Sequence, residues 1–303
     1  MLRLLILAML IAEIALYIAL GRHWNQLDVG AMQIAAAILL MAFLWRLSHA
    51  LVSYLMAAVY RFVERRPLPL GNSLAALASE LSARVISFNW SQPFVDWAMG
   101  AEPAGKRDGT PILLVHGYFS NRGMWVRFRQ RLASAGLGPI YAITLEPPMS
   151  SIDLLAEQLS RRIDEICRAT SADKIIVVAH SMGGLVARSY MARRGSAAIA
   201  KFITLGSPHH GTKMARWGVG ECTGQMRSES AWLRILEDRE SASPPKVPTL
   251  SIYTVNDDLV YPPESSVLAW AENVPVSAVG HVGLLFSKSV ANRVIAAITQ
   301  KSA

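Results

Sequence analysis

Ser181 stands where two sequence patterns meet. A strongly apolar run, Ile175 to Ala179, stops at His180 and Ser181; Gly183 and Gly184 follow, and a helical pattern runs from Leu185 to Arg194. Strand, sharp turn and helix therefore converge on one hydroxyl. Such a turn lifts a serine out of a sheet, where a base can reach its proton and make it a nucleophile. The turn is crowded, so the positions two before and two after the serine must be small. Ala179 and Gly183 meet that demand, although the usual first residue of the pattern is glycine. The helix that starts here aims free backbone N–H groups at the point where an oxyanion would form, and the N–H of Met182 is the first candidate donor.

A serine of this kind needs a base, and the chain has seven histidines. Only His281 combines a position after a strand, flanking glycines (Gly280 and Gly283) and nearness to the C-terminus. His180 reads as a packing or hydrogen-bonding neighbour of the serine, and His209 and His210 as loop histidines. The acid that orients the base is expected in Asn256-Asp257-Asp258-Leu259-Val260, after the fifth strand of the core. Asp257 comes first and lies three residues before Val260, which favours it; Asp258 is the alternative. A second oxyanion donor is expected from the turn after the first core strand, where the N–H of Tyr118 follows His116-Gly117.

The elements that must position these residues alternate. Pro111 to Val115 reads as a buried strand and Asn121 to Ser134 as a helix. Pro139 to Leu145 is a second strand. Ser150 with Asp153 reads as a capping box for a helix to Ala169, apolar at Ile152, Leu155, Leu159, Ile163 and Ile166. The nucleophile strand, Lys201 to Leu205, Thr249 to Thr254 and Val274 to Val279 follow, and Leu284 to Thr299 is the last helix. Strands that read as continuous apolar runs between helices imply an α/β fold, a mostly parallel sheet with helices on both faces. Sites in such sheets lie at the carboxyl ends of strands, which is where Ser181, Asp257 and His281 fall.

The N-terminal third is different. The chain of 303 residues is 52% hydrophobic, and the excess sits at its start. Met1 to Leu20 and Val29 to Trp45 are apolar runs interrupted only by Arg3, Glu13 and Gln33, and twenty helical residues cover the ~30 Å of a bilayer core. They are expected to form a transmembrane helical hairpin. Leu47, Leu51, Leu55, Val59 and Phe62 then recur at helical spacing, either continuing the second helix or lying on the membrane surface. Arg3, Arg46, Arg61, Arg65 and Arg66 flank the hairpin's ends, against Arg22 and Asp28 in its turn. That bias places both ends, and the catalytic domain, on the cytoplasmic side of a membrane, the inner one if the source is bacterial. Glu13 has no evident partner in the sequence. Pro67-Leu-Pro69-Leu-Gly71 breaks the helix, and residues 72–100 carry Phe88, Trp90, Phe94 and Trp97. The expected organisation is thus 1–66, a membrane-anchoring hairpin removable without loss of the core; 67–108, a helical and aromatic bridge; and 109–303, the catalytic domain.

Other classes are disfavoured. The net charge of +8 is spread over several helices, so no nucleic-acid partner is expected. Cys167 and Cys222 are far apart and form no C-x-x-C. No acidic cluster has metal spacing, so no metal is expected.

Val115-His-Gly-Tyr118, Ala179-His-Ser-Met-Gly-Gly184, Thr204-Leu-Gly-Ser-Pro-His-His-Gly-Thr212 and Val279-Gly-His-Val-Gly-Leu-Leu285 together resemble bacterial lipases and esterases of the α/β-hydrolase superfamily. The alanine before the nucleophile is similar to the small Bacillus-type lipases, which also use A-H-S-M-G. The resemblance covers roughly residues 110–300. It implies the α/β-hydrolase fold, the order Ser181, Asp257, His281 for the triad, and hydrolysis of acyl glycerols or related esters through an acyl-enzyme with no cofactor. Acyl transfer or thioester cleavage on the same triad, and a non-catalytic membrane scaffold, are the rival readings. Residues 206–247 form a long excursion rich in apolar residues, either a cap over the site or a packed insertion.

Overall fold

The computed structural model describes residues 1–66, 70–103 and 109–300. Its core is a six-stranded, wholly parallel sheet in the order β2-β1-β3-β4-β5-β6. The strands are β1 (Ile112–Val115), β2 (Ile140–Ile143), β3 (Ile175–His180), β4 (Ile199–Leu205), β5 (Thr249–Thr254) and β6 (Glu272–Val276). The helices are α1 (Leu2–Gln26), α2 (Ala31–Val63), α3 (Leu70–Ile86), α4 (Val95–Met99), α5 (Val126–Ser134), α6 (Ile152–Thr170), α7 (Met182–Arg194), α8 (Glu221–Gln225), α9 (Ala231–Ala242) and α10 (Lys288–Thr299).

Strand alternation builds two cores. Leu113, Val115, Val177 and Ala179 face a layer containing α6 and α7, while Ile112, Leu114, Ile176 and Val178 face a layer containing α5 and α10. Because both faces are covered, β1 and β3 are buried throughout and read as unbroken apolar runs. The chain leaves β1 for the sheet edge at β2 and then crosses back to β3. This reversal opens a crevice between the carboxyl ends of β1 and β3.

α6 shows how local sequence sets an element. Ile152, Leu155, Leu159, Ile163 and Ile166 are all buried on one face, each such burial worth about 1.5–3 kcal/mol. Its N-cap is Ser151, whose Oγ accepts the Leu154 N–H at 3.3 Å, not Ser150. Asp153 is not free for a capping box, because its carboxylate accepts hydrogen bonds from Ser189 and Trp232 and pairs with Arg193. β6 starts two residues and ends three residues before its expected position. The chain turns at Ala278, where φ is 62°, and Thr254 Oγ1 captures the Val279 carbonyl at 2.6 Å. The last helix starts at Lys288, capped by Ser287, after a short 3-10 turn over Val282–Leu285.

At the N-terminus, α1 and α2 form an antiparallel pair of 25 and 33 residues, each long and apolar enough to cross a membrane. Only 6% of the most apolar window of each is buried. Glu13, near the middle of α1, is partnered: Arg46 of α2 pairs with it, Tyr17 donates to it at 2.6 Å, and Arg46 also reaches Asn89 at 2.7 Å. Of the two alternatives for residues 47–63, continuation of the second helix is the one found, and it ends on the core. Arg61 donates to the Val255 carbonyl at 2.7 Å, Tyr60 stacks on Tyr261 at 5.7 Å, and Glu64 receives the Tyr261 hydroxyl at 3.0 Å and pairs with Lys213. The start of α1 is also held there, with Leu2 and Ile6 buried and the Met1 amine 2.6 Å from Glu146. Both ends of the hairpin therefore lie on the α/β core, and its turn points away.

The bridge packs on the same core. Gln92 accepts the Asn121 N–H at 2.9 Å, and Asn121 Nδ2 donates to the Gln92 carbonyl at 3.0 Å. Trp90, Phe94 and Trp97 remain exposed beside one another. The expected helix break at Pro67–Gly71 falls mainly on residues 67–69, and part of the expected boundary at 101–108 falls on residues 104–108, both outside the described residues.

Candidate active site

Ser181 sits at the carboxyl end of β3, in the crevice between β1 and β3. Its φ and ψ are 55° and −129°, a conformation that costs a non-glycine residue on the order of 1–3 kcal/mol. Two hydrogen bonds hold it: the Ser181 N–H donates to the Leu205 carbonyl and the Gly184 N–H to the Ser181 carbonyl, each at 3.0 Å. Close packing explains the small residues around it. A Cβ on Gly183 would lie 2.6 Å from the Val115 carbonyl oxygen, and one on Gly117 would lie 2.7 Å from Ser181 Cβ. The turn after β1 is thus pressed against the serine from one side. α7 starts immediately beyond it with Met182, whose N–H has no intrahelical partner. Tyr118 is the next residue of that turn after Gly117.

His281 and Asp257 meet on the other side of β3. His281 Nδ1 lies 2.9 Å from Asp257 Oδ2, with both residues about 2% exposed. The other Asp257 oxygen accepts the Leu259 and Val260 N–H groups at 2.9 and 2.7 Å, which locks the carboxylate in its loop. Burial pulls the His281 imidazole down; the charge and hydrogen bond of Asp257, with the charges of Glu80 and Asp258, outweigh it and raise the ring above its usual 6.5. With Nδ1–H donated to Asp257, Nε2 carries the lone pair a general base requires. The serine hydroxyl makes no hydrogen bond among the described residues.

Asp258, the alternative acid, points elsewhere. Its Oδ2 accepts from Ser53 of α2 and pairs with Arg84 of α3. Burial first, then the Glu80 charge, raises its carboxyl well above the usual carboxylate range, against the opposing effect of Arg84.

The other histidines serve the scaffold. His116 donates Nδ1–H to the Gly117 carbonyl at 2.9 Å and accepts the Leu145 N–H on Nε2 at 2.9 Å, so it ties the turn after β1 to the end of β2. Burial pushes its ring down to about 4, which keeps it neutral. His180 donates Nε2–H to the His281 carbonyl at 3.1 Å, and the two rings lie 4.7 Å apart. His209 is buried against Thr204, and His210 is half exposed beside Glu237.

The excursion after β4 contains α8 and α9, starts at Gly206 against His281 and Asp257, and also meets the Tyr118 side chain. The Tyr118 hydroxyl donates to the Val219 carbonyl at 2.9 Å and accepts the Val219 N–H at 3.1 Å. Trp217 and Val219 are exposed, whereas Met226, Leu233 and Leu236 are buried in the core. A buried ion pair fastens α9 to α7: Arg188 meets Glu240 through two hydrogen bonds of 2.8 and 2.6 Å.

Sequence reasoning missed the contribution of α2 and α3. Ser53, Glu80 and Arg84 are polar positions on apolar helices, and nothing in their spacing links them to residues about 170–230 positions away.

Comparison with known proteins follows the same outline. A family model described as a PGAP1-like alpha/beta domain matches residues 152–292. A triacylglycerol lipase of Burkholderia plantarii is 29% identical over 160 residues, covering 46% of this chain and 44% of that protein. A triacylglycerol lipase of Pseudarthrobacter phenanthrenivorans is 32% identical over 113 residues, covering 35% of each. Among solved structures, Aspergillus fumigatus lipase B superposes with a TM-score of 0.58 at 19% identity, over 67% of this chain and 55% of that one. The chain thus spans less than half the length of the curated relatives it matches, and the structural likeness speaks to the fold.

Proposed function

We propose that the core of this chain, which has the α/β-hydrolase fold, is related to lipases and esterases, and that the protein is a membrane-anchored serine hydrolase that cleaves carboxylic esters. The observation that carries the reading is the buried His281–Asp257 hydrogen bond of 2.9 Å between the loops that follow β5 and β6, at the same end of the parallel sheet as the Ser181 turn.

The chemistry follows from the positions. Ser181 Oγ attacks the ester carbonyl carbon while His281 Nε2 takes its proton. The carbonyl oxygen becomes an oxyanion between the N–H groups of Tyr118 and Met182. The Asp257 charge stabilises the imidazolium and holds its tautomer. As the tetrahedral adduct collapses, the carbon–oxygen bond to the alcohol breaks and His281 returns the proton to the leaving alkoxide. A water then gives a proton to His281 and attacks the acyl carbon; the bond from that carbon to Ser181 Oγ breaks, His281 returns the proton to Oγ, and the acid leaves.

The two exposed apolar helices support a lipid environment, because a helix this apolar in a globular protein would be buried. With both ends of the pair on the core, the arginine bias supports a catalytic domain on the cytoplasmic face. The relatives named as triacylglycerol lipases point to acyl glycerols as the substrate class.

The test is hydrolysis of p-nitrophenyl esters of graded acyl length in detergent, by the wild type and Ser181→Ala. Activity that is lost in the variant and persists on long chains is expected. Activity confined to short chains would make the protein an esterase. A folded wild type inert on every ester, yet labelled at Ser181 by a fluorophosphonate, would favour acyl transfer to an acceptor other than water. An unlabelled serine would favour the scaffold.

A further inference from the structure

Two loops carry the histidine and the acid, and side chains of α2 and α3 join them from behind. Glu80 of α3 is wholly buried. Its Oε2 accepts the Gly283 N–H at 3.0 Å, two residues beyond His281, and its Oε1 accepts from Arg84 Nε at 2.7 Å. The Arg84 guanidinium goes on to Asp258, the immediate neighbour of Asp257, and Ser53 of α2 donates to the same carboxylate oxygen. The helices also touch backbone on both sides of His281. A Cβ on Gly280 would lie 2.5 Å from Glu80 Oε2 and 2.7 Å from the Tyr54 hydroxyl, and one on Gly283 would strike Ser79 Oγ. The chain Gly283–Glu80–Arg84–Asp258 thus crosses from the histidine loop to the acid loop without a gap.

We propose that Glu80 and Arg84 are positioning residues for the triad, Glu80 holding the His281 loop and Arg84 coupling it to the Asp257–Asp258 loop, so that the helices continuing from the membrane hairpin form part of the catalytic apparatus. This rests on the serine-hydrolase reading. A contribution to stability alone is a poor account of the network. A buried ion pair seldom stabilises more than apolar residues of the same volume, because two charges must be stripped of water. Here two carboxylates share one guanidinium, an arrangement that apolar packing would better replace if stability were its whole use. What the network does supply is a fixed distance between two loops that must present imidazole and carboxylate to each other at 2.9 Å. It also sets the field at the base. The groups facing the His281 loop are Asp257 and Asp258 from the loop after β5, Glu80 and Arg84 from α3, Tyr54 from α2, and His180 from β3; the charges of Glu80 and Asp258 add to that of Asp257 in favouring the imidazolium.

The experiment measures the second-order rate of Ser181 labelling by a fluorophosphonate as a function of pH, on the full chain in detergent, with thermal melting followed in parallel. Glu80→Gln keeps the shape and an acceptor for the Gly283 N–H but removes the charge. Its labelling rate per folded molecule is expected to fall on the order of 10-fold or more, as misplacement of a catalytic group does, and its acidic limb to move to lower pH. Arg84→Lys keeps the charge and loses the fork that bridges Glu80 and Asp258. It is expected to slow labelling by a similar factor with the limb in place, and it carries the test if Glu80→Gln does not fold. Folded variants that melt earlier but label at the wild-type rate along the wild-type pH profile would overturn the proposal. A wild type that fails to label at any pH would overturn the serine-hydrolase reading, and this one with it.

Discussion

Asp257 and Asp258 are adjacent in sequence but face opposite ways: the first carboxylate lies 2.9 Å from His281, and the second is turned to Ser53 and Arg84. The division follows from the loop. The Leu259 and Val260 N–H groups capture one oxygen of Asp257 and leave the other pointing at the imidazole. Asp257→Asn is therefore expected to lower kcat for ester hydrolysis by on the order of 10³–10⁴-fold, because an amide can stabilise the wrong histidine tautomer and no imidazolium. Asp258→Asn should cost less, since it acts through Arg84. Steady-state kinetics on one soluble ester would check both, and equal losses would count against the assignment.

The pH profile follows from the sign of the His281 shift. Only the neutral ring can take the serine proton. A ring whose folded value is raised above 6.5 stays protonated, and inactive, to higher pH than an ordinary histidine. The acidic limb of kcat/KM should accordingly be centred above 6.5. A profile of p-nitrophenyl ester hydrolysis with its limb below that value would contradict the balance of charges described around the ring.

Arg188 and Glu240 form a buried bidentate pair between α7 and α9, with Arg188 also donating to the His209 carbonyl at 2.7 Å. Arg188→Ala would leave Glu240 buried without its counter-ion. The expected loss is about 3–5 kcal/mol of folding stability, read as a lower melting temperature or denaturant midpoint. The double variant Arg188→Met with Glu240→Leu should recover much of it, because the charge and its partner leave together.

A chain begun at residue 67 would lose Ser53, Tyr60, Arg61 and Glu64, all of which touch the core around Val255–Tyr261 and Lys213. Such a chain is expected to be poorly folded and to label weakly at Ser181, not to behave as a soluble esterase. Fluorophosphonate labelling of the truncated protein, normalised to its folded fraction by circular dichroism, would show this. Full labelling would mean that the core holds its acid loop without α2.

Much of the architecture was legible because it is periodic. The buried strands β1 and β3 announce themselves as unbroken apolar runs, α6 as a single apolar stripe, and the α1–α2 pair as two lengths of lipid-compatible helix. The Ser181 turn was legible for a different reason: strand end, serine, small neighbours and first helical N–H are contiguous, so one short stretch states the whole local geometry. Element edges were less so. Ser151 displaced Ser150 as the cap because Asp153 was already engaged by Ser189, Trp232 and Arg193, none of them near it in sequence.

The turn from β3 through Ser181 and Met182 into α7 was thus determined by sequence alone, since it depends on neighbours along the chain. Only the tertiary structure decided which of two adjacent aspartates meets His281, what partners Glu13, and that Glu80 and Arg84 of an N-terminal helix close the space behind the two loops. Those choices depend on groups brought together from opposite ends of the chain in a low-dielectric interior, where a single charge or hydrogen bond selects between local arrangements that cost nearly the same.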